Sequence, residues 1–144
     1  MEEEAVADAS VVVKWFLDEE FSDQARALRD DFVMGRISSR VPSLLFYEVL
    51  NALCKTHRFT PDELVLAARS LSKFGLETQE LQGRALEEIA EEAGSSSSSA
   101  YDASYVALAS AKGTRLYTAD EELVKAYPDI SRHIGDYQPR ECFG

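Results

Sequence analysis

The feature that most constrains the fold is an alternation of short apolar segments with longer amphipathic ones along the chain. Strand candidates lie at residues 5–7, 37–41, 76–80, 115–118 and 130–134. Helix candidates lie at residues 23–33, 42–58, 60–74, 81–93, 101–112 and 121–127. Strands that alternate with helices at this spacing form parallel sheets covered by helices. We therefore predict an α/β fold with a mostly parallel central sheet. Because 144 residues, 45% of them apolar, suffice for one core, we predict a single domain over residues 1–144.

Two aspartates follow strand candidates directly. Asp8 comes after the strand at residues 5–7, and Asp120 comes after the strand at residues 115–118. Parallel sheets bind ligands in the crevice outside the carboxyl ends of their strands. We therefore predict that Asp8 and Asp120 face one cleft at that edge of the sheet.

Two further acids lie in apolar helix candidates. Glu48 lies in a helix whose residues 44–54 are apolar around most of its circumference, which predicts a buried helix. A buried carboxylate requires a partner. Asp102 lies in the first turn of another helix candidate, and residues 101–111 contain no other charge. Both acids are therefore candidates for the same cleft.

Carboxylates that share a cleft need a counter-charge. Two like charges about 4 Å apart repel by roughly 4 kcal/mol at an effective dielectric constant of about 20. Such a group is stabilised by a cation or by a shared proton. We therefore predict that a divalent ion binds Asp8, Glu48, Asp102 and Asp120.

Each acid also has an ordinary structural interpretation. Asp102 could stabilise the N-terminus of its helix through the helix dipole, and residues 118–121 match the capping-box pattern. Ser10 is a plausible N-cap residue. Glu48 could extend from the edge of its helix into solvent, and Asp8 could be a turn former. The metal-site interpretation depends on the joint occurrence of the four acids at positions that a strand-end cleft would use.

Charge and composition argue against several classes of protein. A net charge of −11 argues against an ordinary nucleic-acid binder with a basic face, unless a bound metal or a basic partner supplies positive charge. No apolar run approaches the roughly 20 residues of a membrane span, and the first residues lack the basic region of a secretory signal. We therefore expect a cytoplasmic protein without a membrane segment. Cys54 and Cys142 lack metal-binding spacing and are expected to be free thiols.

Four segments carry a resemblance to a known family. They are residues 6–10 (VADAS), 42–48 (PSLLFYE), 101–105 (YDASY) and 116–120 (LYTAD). In this order, and across nearly the whole chain, they resemble the successive motifs of PIN-domain ribonucleases, specifically the VapC-type toxins of toxin–antitoxin pairs. The resemblance implies a three-layer α/β/α sandwich, dimerisation, and an RNA-cleaving site that binds Mg²⁺ or Mn²⁺.

The resemblance also implies roles for individual residues and partners. The metal-site acids would be Asp8, Glu48, Asp102 and Asp120. The hydroxyl groups of Ser10 and Thr118 would support that site. The implied reaction is hydrolysis of RNA phosphodiesters by a metal-activated water, and the implied partner is a VapB-type antitoxin protein that fills the cleft.

Other residues and other functions are weighed against this interpretation. Candidate RNA contacts are Lys14, Arg40, Lys55 and Arg58, each of which could equally be an ordinary surface charge. His57 and His133 lack a nucleophile pattern, so we expect both to be surface residues without a catalytic role. One alternative is a catalytically silent PIN-like scaffold or antitoxin-binding domain. Another is a phosphoryl-accepting receiver domain, which the placement of Glu48 in a helix fits poorly.

The serine run at residues 94–99 departs from the family pattern, which has a short, partly apolar connection there. A run of serine has little surface to bury and behaves as a flexible linker. It could loosen the placement of Asp102, which follows closely. We nevertheless predict that Asp102 lies on a helix.

Overall fold

The central sheet contains five parallel strands within the part of the chain that the computed structural model describes, residues 3–96 and 98–140. The strands are β1 (Glu4–Ala7), β2 (Ser38–Val41), β3 (Glu77–Thr78), β4 (Arg115–Thr118) and β5 (Ser131–His133). Their spatial order is β3-β2-β1-β4-β5, and every neighbouring pair is parallel. The predicted α/β fold with a parallel central sheet is therefore confirmed.

Seven α-helices connect the strands or follow them within the described residues. They are α1 (Ala9–Val12), α2 (Ser22–Val33), α3 (Leu44–Lys55), α4 (Pro61–Lys73), α5 (Arg84–Ser95), α6 (Ala100–Lys112) and α7 (Glu121–Ala126). Two short 3₁₀ helices span Val13–Trp15 and Ile134–Asp136. Crossovers between parallel strands are right-handed. Helices α1 to α4 therefore lie on one face of the sheet and α5 to α7 on the other, as in a three-layer α/β/α sandwich.

The core lies on both faces of β1, the central strand. Val6 is fully buried, and α6 packs against β1, β2 and β4 from one side. On the other side, α1 packs against α3 and α2 follows the 3₁₀ helix that contains Trp15. The Trp15 indole is buried, contacts Phe74 edge-on with ring centroids 5.1 Å apart, and donates a hydrogen bond to the Ala25 carbonyl at 2.8 Å.

The start of α4 is set by a capping motif that can be read from the sequence. The sequence from Thr60 to Glu63 is a capping-box pattern with Pro61 at the first helical position, which predicts a helix start. The structure has both bonds, since Thr60 Oγ1 accepts from the Glu63 amide at 3.1 Å and Glu63 Oε1 accepts from the Thr60 amide at 2.9 Å. The predicted start of α4 is therefore confirmed.

The prediction of a mostly buried helix around Glu48 is wrong. Helix α3 buries one face, through Leu45, Val49 and Leu53, while Tyr47 is 75% exposed and Cys54 is also exposed. The helix also ends earlier than residue 58, at Lys55. Although most residues of α3 are apolar, the fold covers only one face of this helix and leaves the other face open to solvent.

Part of the serine run is helical, so the connection between α5 and α6 is shorter than the predicted linker at residues 94–99. Helix α5 begins at Arg84, three residues later than expected, and continues through Gly94 to Ser95. The Ser96 hydroxyl donates to the Glu92 carbonyl at 2.8 Å and so provides a hydrogen-bond donor for a carbonyl group in the last turn of that helix. Ser99 is the N-cap of α6, and its Oγ accepts from the Asp102 amide at 3.0 Å. The prediction that Asp102 lies on a helix is confirmed.

No helix among residues 3–96 and 98–140 is long and apolar enough to cross a membrane. Cys54 is a free thiol, and Cys142 lies outside the described residues.

Candidate functional site

Asp8 and Asp120 lie just after the ends of two neighbouring strands, at the carboxyl edge of the sheet. Strand β1 ends at Ala7 and pairs in parallel with β4, which ends at Thr118. The Asp8 amide donates to the Tyr117 carbonyl at 3.2 Å, which extends the pairing by one residue. The two predicted aspartates therefore lie at one edge because their strands are adjacent.

The hydroxyl groups of Ser10 and Thr118 connect the two aspartate loops. Ser10 Oγ donates to Asp8 Oδ1 at 2.5 Å and accepts from the Ala119 amide at 2.9 Å. Thr118 is fully buried, and its Oγ1 accepts from the Asp120 amide at 3.1 Å and lies 3.4 Å from Ser10 Oγ. A continuous chain of hydrogen bonds thus fixes both loops relative to each other.

Three of the acids lie at helix N-termini. Asp102 lies in the first turn of α6, and the other two are N-cap residues. Asp8 is the N-cap of α1 and accepts from the Val11 amide at 3.3 Å, whereas Ser10 lies inside that helix. Asp120 is the N-cap of α7 and accepts from the Glu122 amide at 3.0 Å, so the cap is not Thr118. The interpretation of Ser10 as an N-cap is therefore wrong, and so is a capping box that begins at Thr118. Asp8 and Asp120 are the capping residues, in addition to their positions at the edge of the sheet. The positive ends of the helix dipoles also favour carboxylates at these positions.

Glu48 reaches the same region from α3 and is held by a tyrosine. Glu48 is half-buried, and its Oε1 accepts a hydrogen bond from the Tyr105 hydroxyl at 2.5 Å. Burial raises the pKa of Glu48, the Tyr105 hydrogen bond lowers it, and the charge of Asp102 raises it, with a net rise. Glu48 and Asp102 are therefore close enough to repel each other.

Asp102 is the electrostatic centre of the group. Burial and the charge of Asp120 raise its pKa, against a hydrogen bond from Ser99 that lowers it. Asp102 in turn contributes to the raised pKa values of Asp8 and Glu48. All four predicted acids are thus coupled through Asp102.

Asp8 is the most strongly perturbed of the four acids. Its side chain is 5% exposed, and burial raises its pKa from 3.8 to about 6. Hydrogen bonds from Ser10, Thr118 and the Val11 amide oppose that rise, and the charge of Asp102 adds to it. A carboxylate kept in such a setting costs free energy unless a cation compensates it.

Two clefts at this edge of the sheet together form the acidic cleft. Asp102 and Asp120 line one of about 340 Å³, and Glu48 and Ser10 line the other, of about 380 Å³, whereas the buried Asp8 lines neither. Within residues 3–96 and 98–140, no three acid, histidine or cysteine side chains are gathered closely enough to form a metal site as they stand. The donor chemistry nevertheless fits Mg²⁺ or Mn²⁺, since these hard cations prefer carboxylate and other oxygen ligands.

A larger cavity, of about 830 Å³, lies at the opposite edge of the sheet. Its lining includes charges of both signs, among them Glu3, Arg115 and Arg132. None of the four predicted acids contributes to it.

A model of the PIN domain matches residues 5–127, and this span contains all four acids. The chain belongs to the PIN-domain family. The crystal structure of PAE2754 from Pyrobaculum aerophilum is similar, with a TM-score of 0.66 and 26% sequence identity over 93% of this chain and 92% of that one. The structure of Mycobacterium tuberculosis VapC20, a Sarcin-Ricin loop cleaving toxin, has a TM-score of 0.65 and 16% identity over 85% of this chain and 94% of that one. No curated protein sequence matches significantly.

Two of the four candidate RNA contacts in this PIN domain are engaged in ion pairs. Lys14 is buried and pairs with Glu19 at 3.0 Å. Arg40 pairs with Glu77 at 2.7 Å. Lys55 and Arg58 are exposed near the C-terminal end of α3. The exposed pair are therefore the stronger candidates for contact with a phosphate backbone.

The two histidines of the PIN domain differ in exposure. His57 is exposed, as predicted. His133 is half-buried, because its ring packs edge-on against Phe21 with centroids 4.8 Å apart and its Nδ1 accepts from the Gly135 amide at 2.9 Å. The prediction of a surface position for His133 is wrong, and its contacts are those of a structural residue.

Tyr105 is the site residue that sequence reasoning missed. It stands three positions after Asp102 on α6 and therefore on the same side of that helix. This spacing was the available signal, but a bond to Glu48, 57 residues earlier in the chain, has no signature in a single sequence.

Proposed function

We propose that this PIN domain is a metal-dependent endoribonuclease of the VapC toxin type, which hydrolyses RNA phosphodiesters. The observation that carries the proposal is the convergence of the four acids at the carboxyl edge of a parallel sheet. Hydrogen bonds through Ser10 and Thr118 join the loops of Asp8 and Asp120, and the Tyr105 hydroxyl joins Glu48 to the helix that contains Asp102. Four separate segments of the chain supply these acids. Ordinary solvated surface carboxylates would have no reason to lie together at one edge of the sheet.

Mg²⁺ or Mn²⁺ would be held by the carboxylates of Asp8, Glu48, Asp102 and Asp120. When bound, such an ion supplies Lewis acidity, which lowers the pKa of water and stabilises charge on a phosphoryl oxygen. Ser10 and Thr118 support the site by fixing the loops of Asp8 and Asp120 through their hydroxyl groups. This fixed geometry removes the need to order the loops when substrate binds.

The substrate proposal draws on charge and on fold similarity. A net charge of −11 disfavours close approach of a phosphate backbone to the acids, and a cation in the cleft would offset that repulsion. VapC20, which shares the fold, is a toxin that cleaves the Sarcin-Ricin loop. Lys55 and Arg58 are proposed to contact RNA phosphates at the exposed end of α3.

The proposed setting is that of a toxin–antitoxin pair in the cytoplasm. A VapB-type antitoxin protein is the proposed partner, and the proposed assembly is a homodimer. A partner with a basic surface would complement the acidic charge of this chain.

The test is cleavage of a mixed RNA pool with Mn²⁺, with Mn²⁺ plus EDTA, and with the Asp8→Asn variant. Asp129→Asn is the matched control, because it removes one carboxylate from an exposed position outside the acidic cleft. We expect cleavage by the parent and by Asp129→Asn, and none with EDTA or with Asp8→Asn. Equal cleavage by Asp8→Asn and the parent would refute the proposed site.

A catalytically silent scaffold is the second candidate function. It is favoured because, among the described residues, no three acid, histidine or cysteine side chains are gathered closely enough to hold a metal as they stand. A folded parent protein that binds no Mn²⁺ in calorimetry and cleaves no RNA, but captures an antitoxin, would establish this alternative.

A further inference from the structure

Tyr105 is fixed in the core of the molecule beside the acidic cleft. Its side chain is 1% exposed, and its helix, α6, packs against β1, β2 and β4. The charges of Glu48, Asp8 and Asp102 all act on its hydroxyl group. A residue that is almost completely buried has little room to move, so its hydroxyl group is a rigid hydrogen-bond donor beside these acids.

The Tyr105 hydroxyl crosses the edge of the sheet to reach Glu48. It donates to Glu48 Oε1 at 2.5 Å, and the two residues are separated by 57 positions in the chain. Helix α3 lies on the face of the sheet opposite to α6. This single hydrogen bond therefore joins the two helical layers above the carboxyl ends of the strands.

Glu48 needs such a restraint more than Asp8 and Asp120 do. Asp8 and Asp120 have short side chains and are fixed by capping bonds to backbone amides. Glu48 has a longer side chain and lies on a helix with one solvent-exposed face, next to Tyr47, which is 75% exposed. Without a partner, a glutamate in that position would populate several rotamers, including ones directed into solvent.

We propose that Tyr105 is a positioning residue, which holds the Glu48 carboxylate toward the cleft so that it can act as a ligand of the divalent ion. The inference rests on the proposed function, because it requires a metal in the acidic cleft. Partners that orient a ligand in this way commonly change metal affinity by about 10- to 100-fold when removed.

The chain offers matched controls for the chemistry of this bond. Two other tyrosines donate to carboxylates, Tyr137 to Asp31 and Tyr127 to Glu92. Asp31 lies near the N-terminal edge of the sheet, since its carbonyl accepts from the Ile37 amide just before β2. Tyr137→Phe thus removes the same kind of hydrogen bond at the far end of the molecule.

The experiment is calorimetric titration of Mn²⁺ into the metal-free protein, without RNA, for the parent, Tyr105→Phe, Tyr137→Phe and Tyr127→Phe. We expect Tyr105→Phe to raise the Kd for Mn²⁺ by about 10-fold or more, and the other two variants to leave it within about twofold of the parent. Thermal unfolding of each metal-free variant shows whether the fold is kept. If Tyr137→Phe fails to fold, Tyr127→Phe serves as the control.

A double-mutant cycle separates positioning from general structural support. If Tyr105 acts through Glu48, adding Tyr105→Phe to Glu48→Gln should change the Kd for Mn²⁺ by less than about twofold. A full additional loss in that background would mean that Tyr105 acts elsewhere and would overturn the inference. So would a Tyr105→Phe variant that binds Mn²⁺ as tightly as the parent.

The outcomes for the parent protein distinguish this inference from the proposed function. A parent that binds no Mn²⁺ refutes both. A parent that binds Mn²⁺ and cleaves RNA, with an unchanged Kd in Tyr105→Phe, refutes only the positioning role.

Discussion

Replacement of Asp8 by asparagine should stabilise the metal-free protein at neutral pH. The unfolded carboxyl has a pKa of 3.8, and burial raises the folded pKa to about 6. The folded state therefore binds the proton more tightly between these values. The stability associated with protonation is present below the unfolded pKa and is lost as pH rises through the folded pKa.

The size of the effect follows from that interval. At roughly 1.4 kcal/mol per pKa unit, ionisation of Asp8 costs the parent about 3 kcal/mol above pH 7. The asparagine avoids this cost and can still cap α1, because Asn and Asp are comparable N-caps. Its neutral amide accepts more weakly from Ser10 and Val11, at a loss of about 1 kcal/mol. The net expectation is a gain of about 2 kcal/mol at pH 7.5.

The assay is urea unfolding in EDTA at pH 7.5 and pH 4.0, followed by the fluorescence of Trp15, the single tryptophan. The advantage of Asp8→Asn should fall to about zero or below at pH 4.0. Asp31→Asn is the contrasting variant, since Asp31 is equally buried but pairs with Arg36 at 3.1 Å. It should lose about 2 kcal/mol.

An Asp8→Asn protein that is less stable than the parent at pH 7.5 would refute the reasoning. Asp8 would then be a structural cap rather than a destabilised site acid. Mn²⁺ supplies a second check, because a ligand at about 100 times its Kd should stabilise the parent by about 2.7 kcal/mol and the variant by much less.

Three further predictions follow from the cleft and its surroundings. Asp102→Asn should abolish RNA cleavage while preserving or raising metal-free stability in thermal unfolding, because it removes the repulsion that couples the acids; loss of the fold would indicate a structural acid. Ser99→Ala should cost about 1 kcal/mol in urea unfolding by removing the N-cap of α6, and Ser99→Asp should restore it; an equal loss in both would contradict a capping role. Lys55→Glu should weaken RNA binding and reduce the salt slope of log K by about 0.7 or more, while Lys112→Glu, at the opposite edge, should leave that slope unchanged.

The fold was predictable where local chemistry and periodicity agree. The capping box at Thr60 set the start of α4, and the strands at 115–118 and 37–41 were found to within a residue. The start of α5 was missed by three residues because Gly83, at a φ of +60°, precedes the helix and has no side-chain capping signal. Its end, expected at residue 93, lies at Ser95, where the hydroxyl groups of Ser95 and Ser96 donate to the Glu92 carbonyl group.

The candidate site was predictable in its acids but not in its connections. Asp8 and Asp120 follow strands, so topology alone places them at one edge. Glu48 was expected in a buried helix and instead lies on a helix with an open face, because the chain leaves Tyr47 in solvent. The hydrogen bond from Tyr105 depends on two layers meeting across the sheet, and no local pattern encodes that distance.

The strand order delays completion of the acidic site during synthesis, because β1 pairs with a strand that follows it by more than 100 residues. Strand β1 begins at residue 4 and lies beside β4, which begins at residue 115. A ribosome that adds about 5–20 residues per second therefore needs roughly 5–20 seconds to supply the second neighbour of β1. For more than half of that interval the nascent chain carries both Asp8 and Glu48 without Asp120. An RNA-cleaving centre in this topology would be completed only after β4 and Asp120 have been synthesised.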